Sequence, residues 1–215
     1  MNAPSLRSPR KAKGQGAERR EEILAAALKL FTEFGVYAVS TRQIAQAVGI
    51  SQPTLYAYFP TKDDIGRELQ GRAFALLAQR LADGERGPID TPACFIEMLR
   101  IYVDFGLDNP DMYRIAFMAE GAQVRNMLSA AKDVALPPAT QSTYGVLRGE
   151  IEKLHARGLT IDLDVETLTQ SAWTAMHGLV SLLIAKPGFP WVEREHLIAS
   201  QLGVVARGVW RPDRG

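Results

Sequence analysis

The 215-residue chain has a single cysteine, Cys94, so no internal disulfide can form, and its three scattered histidines leave little material for a zinc site. Aromatic residues make up 8% and charged residues 23%, against 47% hydrophobic, a composition neither disordered nor fibrous. Long apolar runs are missing too. The longest, about 172–185, is interrupted by Thr174, His177 and Ser181 and falls short of the roughly 20 residues that a membrane span needs. No apolar run follows the basic N-terminal residues, so no targeting segment is expected and a reducing cytoplasm fits best. There is no phosphate-cradling Gly loop, no metal cluster, and no Ser or Cys nucleophile placed beside a histidine, which argues against an enzyme and against a cofactor. At 23.6 kDa the chain is nonetheless large enough to bury a core unaided.

Net charge is equally scarce: 25 Lys and Arg stand against 24 Asp and Glu, a formal +1. The distribution is uneven. Residues 1–20 hold Arg7, Arg10, Lys11, Lys13, Arg19 and Arg20 against Glu18 alone, a local balance of +5 that leaves −4 for the remainder. Such a basic end is either a solvated tail or an electrostatic footprint for a polyanion. Residues 1–17, with Pro4, Pro9, Gly14, Gly16 and no apolar periodicity, read as a flexible basic arm.

From Glu18 the pattern changes. Ile23, Leu24, Ala27, Leu28, Phe31 and Phe34 recur at three- and four-residue spacing, the stripe of an amphipathic helix that Gly35 ends. Ser40 or Thr41 caps a second helix, about two turns long, with Ile44, Ala45 and Val48 inward and Gly49 as its left-handed stop. Ser51 caps a third, with Pro53 in its first turn, where a missing N–H costs nothing, and Leu55 and Phe59 inward. Two short helices joined by a Gly-containing turn form a helix-turn-helix. After Pro60 and Thr61 a long helix runs from 62 to about 82 with Ile65, Leu69, Ala73, Leu76 and Leu77 on one face. Further helices are expected over about 91–107, from Asn109 and Pro110, through Tyr144, Leu147, Ile151 and Leu154 to Gly158, and over 165–185 and 193–209, while 121–138 carries no firm assignment. Alternating β-branched runs are missing, so the expected fold is all-α with about nine helices. The expected organisation is an arm over 1–17, a three-helix helix-turn-helix domain over 18–64 and a larger helical domain over 65–215.

A helix-turn-helix places its second helix in the major groove, where outward side chains must meet base edges and phosphates. Gln52, Thr54, Tyr56 and Tyr58 are outward. Glutamine pairs bidentately with adenine, the Pro53 ring can pack on a thymine methyl, and the hydroxyls of Thr54 and the tyrosines can donate to phosphate oxygens. Arg42 has the planar fork that matches guanine, and Lys62 reads as a phosphate anchor. The block STRQIAQAVGISQPTLYAYFPTKDDI, residues 40–65, resembles the DNA-binding signature of the tetracycline-repressor (TetR) family. That resemblance implies phosphate contacts at Thr41 and Lys62, base readers at Arg42 and Gln52, and backbone contacts at Tyr56 and Tyr58. Ala57, where some members carry a larger reader, and Tyr58, which replaces a frequent histidine, depart from common versions and leave the operator sequence open.

The resemblance further implies that the residues from about 65 onward form a ligand-binding and dimerisation domain. Trp173, His177 and Gly178 are similar to the arrangement in one C-terminal subgroup. Trp173 and His177, four apart on one helical face, are either pocket walls together with Met98, Tyr102, Phe105, Phe117 and Met118, or core and dimer packing with His177 satisfied by a carbonyl. His155 and His196 lie on separate polar segments, so no metal is expected at His177. Leu168, Ala175, Leu179, Leu182, Leu183, Leu197, Val204 and Val205 offer more apolar surface than one helical layer uses, which points to a homodimer through a four-helix bundle. Its two reading heads would meet successive major grooves roughly 34 Å apart, hence double-stranded DNA with a near-palindromic operator. Repression relieved by a small, partly apolar effector is the mode the resemblance implies, with activation as the opposite sign and no membrane partner. Two rival classes remain: a cofactor-free helical enzyme using Glu120 and His177, and an interaction module that has lost DNA binding. Deleting residues 1–17 is expected to lower affinity for duplex DNA and to flatten the log–log dependence on salt; an unchanged slope would make the arm a bland tail.

Overall fold

Caps and buried plugs, more than length, fix the short helices at the N-terminal end. The computed structural model describes residues 16–84, 89–118 and 138–211, so the arm up to residue 15, Glu120 and the segment 121–137 lie outside the described residues. Helix α1 (Gly16–Phe34) buries Ile23, Leu24, Ala27 and Phe31 and stops at Gly35, whose positive φ of 82° lets its N–H return to the Phe31 carbonyl at 2.9 Å. Ser40, rather than Thr41, caps α2 (Thr41–Val48): its Oγ accepts from the Gln43 N–H while Gln43 Oε1 accepts from the Ser40 N–H at 2.8 Å, a reciprocal capping box. Gly49 closes α2 in the left-handed region, and Ser51 caps α3 (Gln52–Tyr58). Then follow α4 (Lys62–Asp83), α5 (Pro92–Asp108) and α6 (Pro110–Tyr113), which continues into a π-helical turn over Arg114–Met118. The last three are α7 (Pro138–Ala156), α8 (Val165–Ala185) and α9 (Arg194–Val209). Among the described residues there are nine helices and no strand, and no helix is long and apolar enough to cross a membrane.

The chain divides into two units. One contains the residues up to Ala73 and the segment from Asp111; the other contains Phe74–Pro110 and the chain from Ala135. The division falls inside α4, later than the boundary expected at residue 65. The reason is burial: Ile65 and Leu69 are 0% and 2% exposed in the same core as Ile23, Phe31, Ile44, Leu55 and Phe59. Ile115 of the π turn joins that core, and Gln70 donates to the Ala116 carbonyl at 3.3 Å. In the other unit α8 is the central helix, packed against α5, α7 and α9. The end of α9 is pinned by Ile161 N–H to Val209 O (3.0 Å) and Arg211 N–H to Leu159 O (2.8 Å), with Trp210 beside the buried Phe95 ring.

Arg19 and Arg20, counted with the basic end in the sequence, belong to the folded helix α1. Arg19 is buried, pairs with Glu22 at 2.8 Å and reaches the Val48 carbonyl. Arg20 pairs with Glu68 of α4 at 2.8 Å and lies 4.6 Å over the Phe59 ring, and Arg72 joins Glu68 to Glu21 of α1. The Arg72 hydrogen bond holds the Glu21 carboxyl below its ordinary value of 4.5, and Arg20 does the same for Glu68. A carboxylate whose folded value is lowered stabilises the fold above its unfolded value, and that contribution vanishes as pH falls through the folded one. Glu68→Gln should therefore lower the Tm at pH 7, and its gap to wild type should close as the pH drops below about 4.5. A gap independent of pH in thermal melts would show that the charge on Glu68 does not contribute.

Candidate nucleic-acid interface

The Ser40 capping box starts α2 at Thr41, and the Ser51 cap starts α3 at Gln52, so the first residues of both helices come together at the surface. Gln52 Nε2 donates to Thr41 Oγ1 at 3.0 Å and to the Tyr56 hydroxyl at 3.1 Å, and the two hydroxyl oxygens are 3.2 Å apart. The bonds from Thr41, first, and Gln52 hold the Tyr56 phenol below its usual value of 10.0. Beside this triangle Arg42 is exposed and has no partner among the described residues, which leaves its fork available for a guanine edge or a phosphate. Pro53 is exposed in the first turn of α3; Thr54 is exposed too, with its hydroxyl 2.7 Å from Ser51 Oγ at the cap. Tyr58 is half-buried against the N-terminal core, the packing role rather than an open phosphate contact.

Lys62 differs most from its expected role. Its ammonium donates to the carbonyls of Val36 (2.7 Å), Val39 (2.8 Å) and Tyr37 (3.4 Å), so its three hydrogens are directed at three backbone acceptors. The residue expected as a phosphate anchor thus ties the α1–α2 connection to the start of α4. A run of backbone oxygens in that connection has no helical partner to accept from, and the nearest flexible cation supplies one.

In the C-terminal unit a cavity of about 340 Å³ lies among α4, α5 and α7. Ala78, Leu81, Ile101 and Val146 form apolar walls, and Glu97, Glu150 and Lys153 bring charge, with Lys153 and Glu150 paired at 2.5 Å. Of the pocket residues expected from the sequence, Met98 alone lines it. Tyr102 and Phe105 are buried in core packing. Phe117 and Met118 belong to the other unit, where Phe117 stacks 4.8 Å from Tyr113. Trp173 packs edge-on to Tyr144 at 5.9 Å and lies 6.1 Å from His177, whose half-burial pushes its imidazole below 6.5. The missed wall includes Gly145 and Gly149, two glycines four apart on one face of α7; that spacing was the available signal. Of the expected dimer residues, Leu168, Leu179 and Val205 are buried within this chain, and Ala175, Leu183 and Leu197 are partly covered. Leu182 and Val204 remain 49% and 54% exposed.

Because Lys62 serves the backbone, Lys62→Met should lower stability by about 1 to 2 kcal/mol, the scale of hydrogen bonds to a charged group at a partly exposed site. The salt dependence of DNA binding should stay unchanged. Melting curves and salt titrations check both parts; a phosphate anchor would instead flatten the log–log slope by about 0.9.

Comparison with known proteins agrees with this geometry. Residues 23–69 match the family model described as bacterial regulatory proteins, tetR family, and residues 95–203 match the tetracyclin repressor-like C-terminal domain. Among curated relatives, the nucleoid occlusion factor SlmA of Haemophilus influenzae is 30% identical over 128 residues, covering 57% of this chain and 59% of its own. The SlmA of Haemophilus ducreyi is 28% identical over 130 residues, covering 58% and 63%. The chain thus spans about three fifths of the length of the curated relatives it matches. Among solved structures, a regulatory protein of the tetR family from Rhodococcus superposes with a TM-score of 0.71 at 18% identity, covering 91% of this chain and 99% of that one. The fatty acid degradation regulator FadR of Bacillus halodurans gives 0.70 at 14%, covering 92% and 97%. At such identities these structures speak for the fold alone. The two family models bracket the helix-turn-helix and half of the chain beyond it, and the chain belongs to the TetR family, as a DNA-binding transcription regulator and not an enzyme.

Proposed function

We propose that this regulator is a repressor that binds a near-palindromic operator as a homodimer and is released by a small, partly apolar molecule. The observation that carries the reading is the cavity in the C-terminal unit. Its walls include Ala78, Leu81 and Ala82 of α4, the helix that begins at Lys62 in the N-terminal unit. A helix transmits displacement along its length, so a ligand that favours one placement of those C-terminal turns biases the placement of the reading head. To switch occupancy the ligand needs a differential affinity on the order of 10²-fold, about 3 kcal/mol. The volume of about 340 Å³ is at the small end of ligand pockets and suits a compact apolar body. Glu97, Glu150 and Lys153 would orient its polar end. The exposed Leu182 and Val204 on α8 and α9 support the homodimer, since both leave apolar surface that a two-fold partner would cover.

A second reading is nucleoid occlusion, favoured by the 30% identity to SlmA. A factor that reports where the nucleoid lies must occupy sites spread over it, whereas a ligand-released repressor needs few. A map of bound genomic sites separates the two.

The cavity gives the ligand reading its own test. Nothing lies within 4 Å of a Cβ added at Gly149, so a larger side chain there can extend into the space. Compounds from a small-molecule library that raise the Tm of wild type should fail to do so for Gly149→Leu, which should still bind DNA. At 100 times its Kd a ligand contributes about 2.7 kcal/mol, a shift of several degrees that melting resolves. Equal shifts in both proteins would remove the cavity from the mechanism.

A further inference from the structure

The triangle of Thr41, Gln52 and Tyr56 occupies the reading head itself, and its geometry assigns roles different from those the family resemblance implies. A glutamine at the first position of a short helix is ordinarily a mobile side chain, and immobilising it on a base edge costs rotamer freedom. Here the side chain is already held, with Nε2 at 3.0 Å from Thr41 Oγ1 and 3.1 Å from the Tyr56 hydroxyl. The hydroxyls are in turn 3.2 Å from each other. Thr41 comes from α2 and the other two residues from α3, so the contact also spans the two helices of the motif.

The direction of the amide follows from counting hydrogens. With nitrogen inward, its two N–H groups donate one to each hydroxyl, and one hydroxyl donates to the other, which makes three hydrogen bonds. With oxygen inward, both hydroxyl hydrogens go to that oxygen, and the edge between Thr41 and Tyr56 becomes two facing lone pairs. Nitrogen inward satisfies more groups. It leaves Gln52 Oε1 as the atom with no partner among the described residues, an acceptor and not the donor–acceptor pair of a bidentate glutamine.

We infer that Thr41 and Tyr56 are positioning residues for Gln52, and that the clamped Gln52 carbonyl oxygen selects a base carrying an exocyclic amino group in the major groove, adenine or cytosine. Guanine and thymine present O6 and O4 there, acceptors facing an acceptor. The inference rests on DNA binding and is independent of ligand release and of the sign of regulation.

Selection of bound sequences from a random duplex library, with the full chain, tests it. Wild type should prefer adenine or cytosine at one position of each half-site, and Gln52→Ala should erase that preference. Tyr56→Phe and Thr41→Val, each deleting one hydroxyl, should reduce it about fivefold, the scale of a single hydrogen bond, and leave other positions unchanged. Thr41→Ser should restore it. Tyr56 is 43% exposed, so its variant does not disturb the core, and it carries the test if Thr41→Val melts early. Uniform weakening on every sequence would make the two hydroxyls phosphate contacts and overturn the clamp. So would unchanged profiles in both variants, a preference for guanine or thymine at the Gln52 position, or a wild type that enriches no sequence.

Discussion

The recognition helix α3 is seven residues long, and an isolated helix of that length does not persist in water, because nucleation costs more than so few hydrogen bonds return. What holds it is burial at two points, Leu55 in its middle and Phe59 just past its end, both in the core formed by α1, α2 and the start of α4. Phe59 is covered by the Arg20 guanidinium, which pairs with Glu68, which pairs with Arg72, which returns to Glu21. The reading head is therefore carried by a core plug under an ion cluster. Each individual pair is partly exposed and of modest strength, but the cluster closes a loop from α1 through α4 back to α1. Any account of specificity presupposes this mounting, since the outward residues of α3 are aimed only as well as its inward ones are held.

Much of this architecture was readable from the chain because it depends on neighbours in sequence. Ser40, Ser51, Gly35 and Gly49 act within three or four residues of themselves, and their types announce caps and stops. Ile23, Leu24, Ala27 and Phe31 announce a face by spacing alone. Lys62 could not be read this way. A lysine at the mouth of a helix has the same local signature whether it meets a phosphate or the carbonyls of Val36 and Val39, residues more than twenty positions earlier. Arg19 and Arg20 were misassigned to the arm for the same reason: charge was visible, while Glu22, Glu68 and the Phe59 ring were not visible as partners.

The pocket expectation differed from the structure for a further reason. Periodicity identifies which side chains point inward but not where inward-pointing side chains fail to meet. Large aromatics such as Tyr102 and Phe105 fill the space they face and end up in solid core. Cavities form where small residues oppose one another, as Gly145 and Gly149 of α7 do across from Ala78 of α4. A search for candidate cavities should therefore weigh pairs of small residues at helical spacing above clusters of aromatics, a consequence of interiors being close-packed wherever large groups are available.

The charge that opened as an almost neutral total resolves into separate physical roles. Arg19, Arg20, Arg72 and Lys62 are engaged within the N-terminal unit by carboxylates, an aromatic ring and carbonyls. Arg42, by contrast, is exposed and unpaired among the described residues of the reading head. A domain whose cations are mostly internal cannot rely on a broad basic face for affinity, because counterion release scales with the number of phosphates neutralised. The Arg7, Arg10, Lys11 and Lys13 side chains then become the remaining source of long-range attraction at this end of the chain. The folded head, with Arg42 and the clamped Gln52, is left to discriminate among bases. Affinity and specificity would thus reside in different segments, which permits either to change without remaking the other.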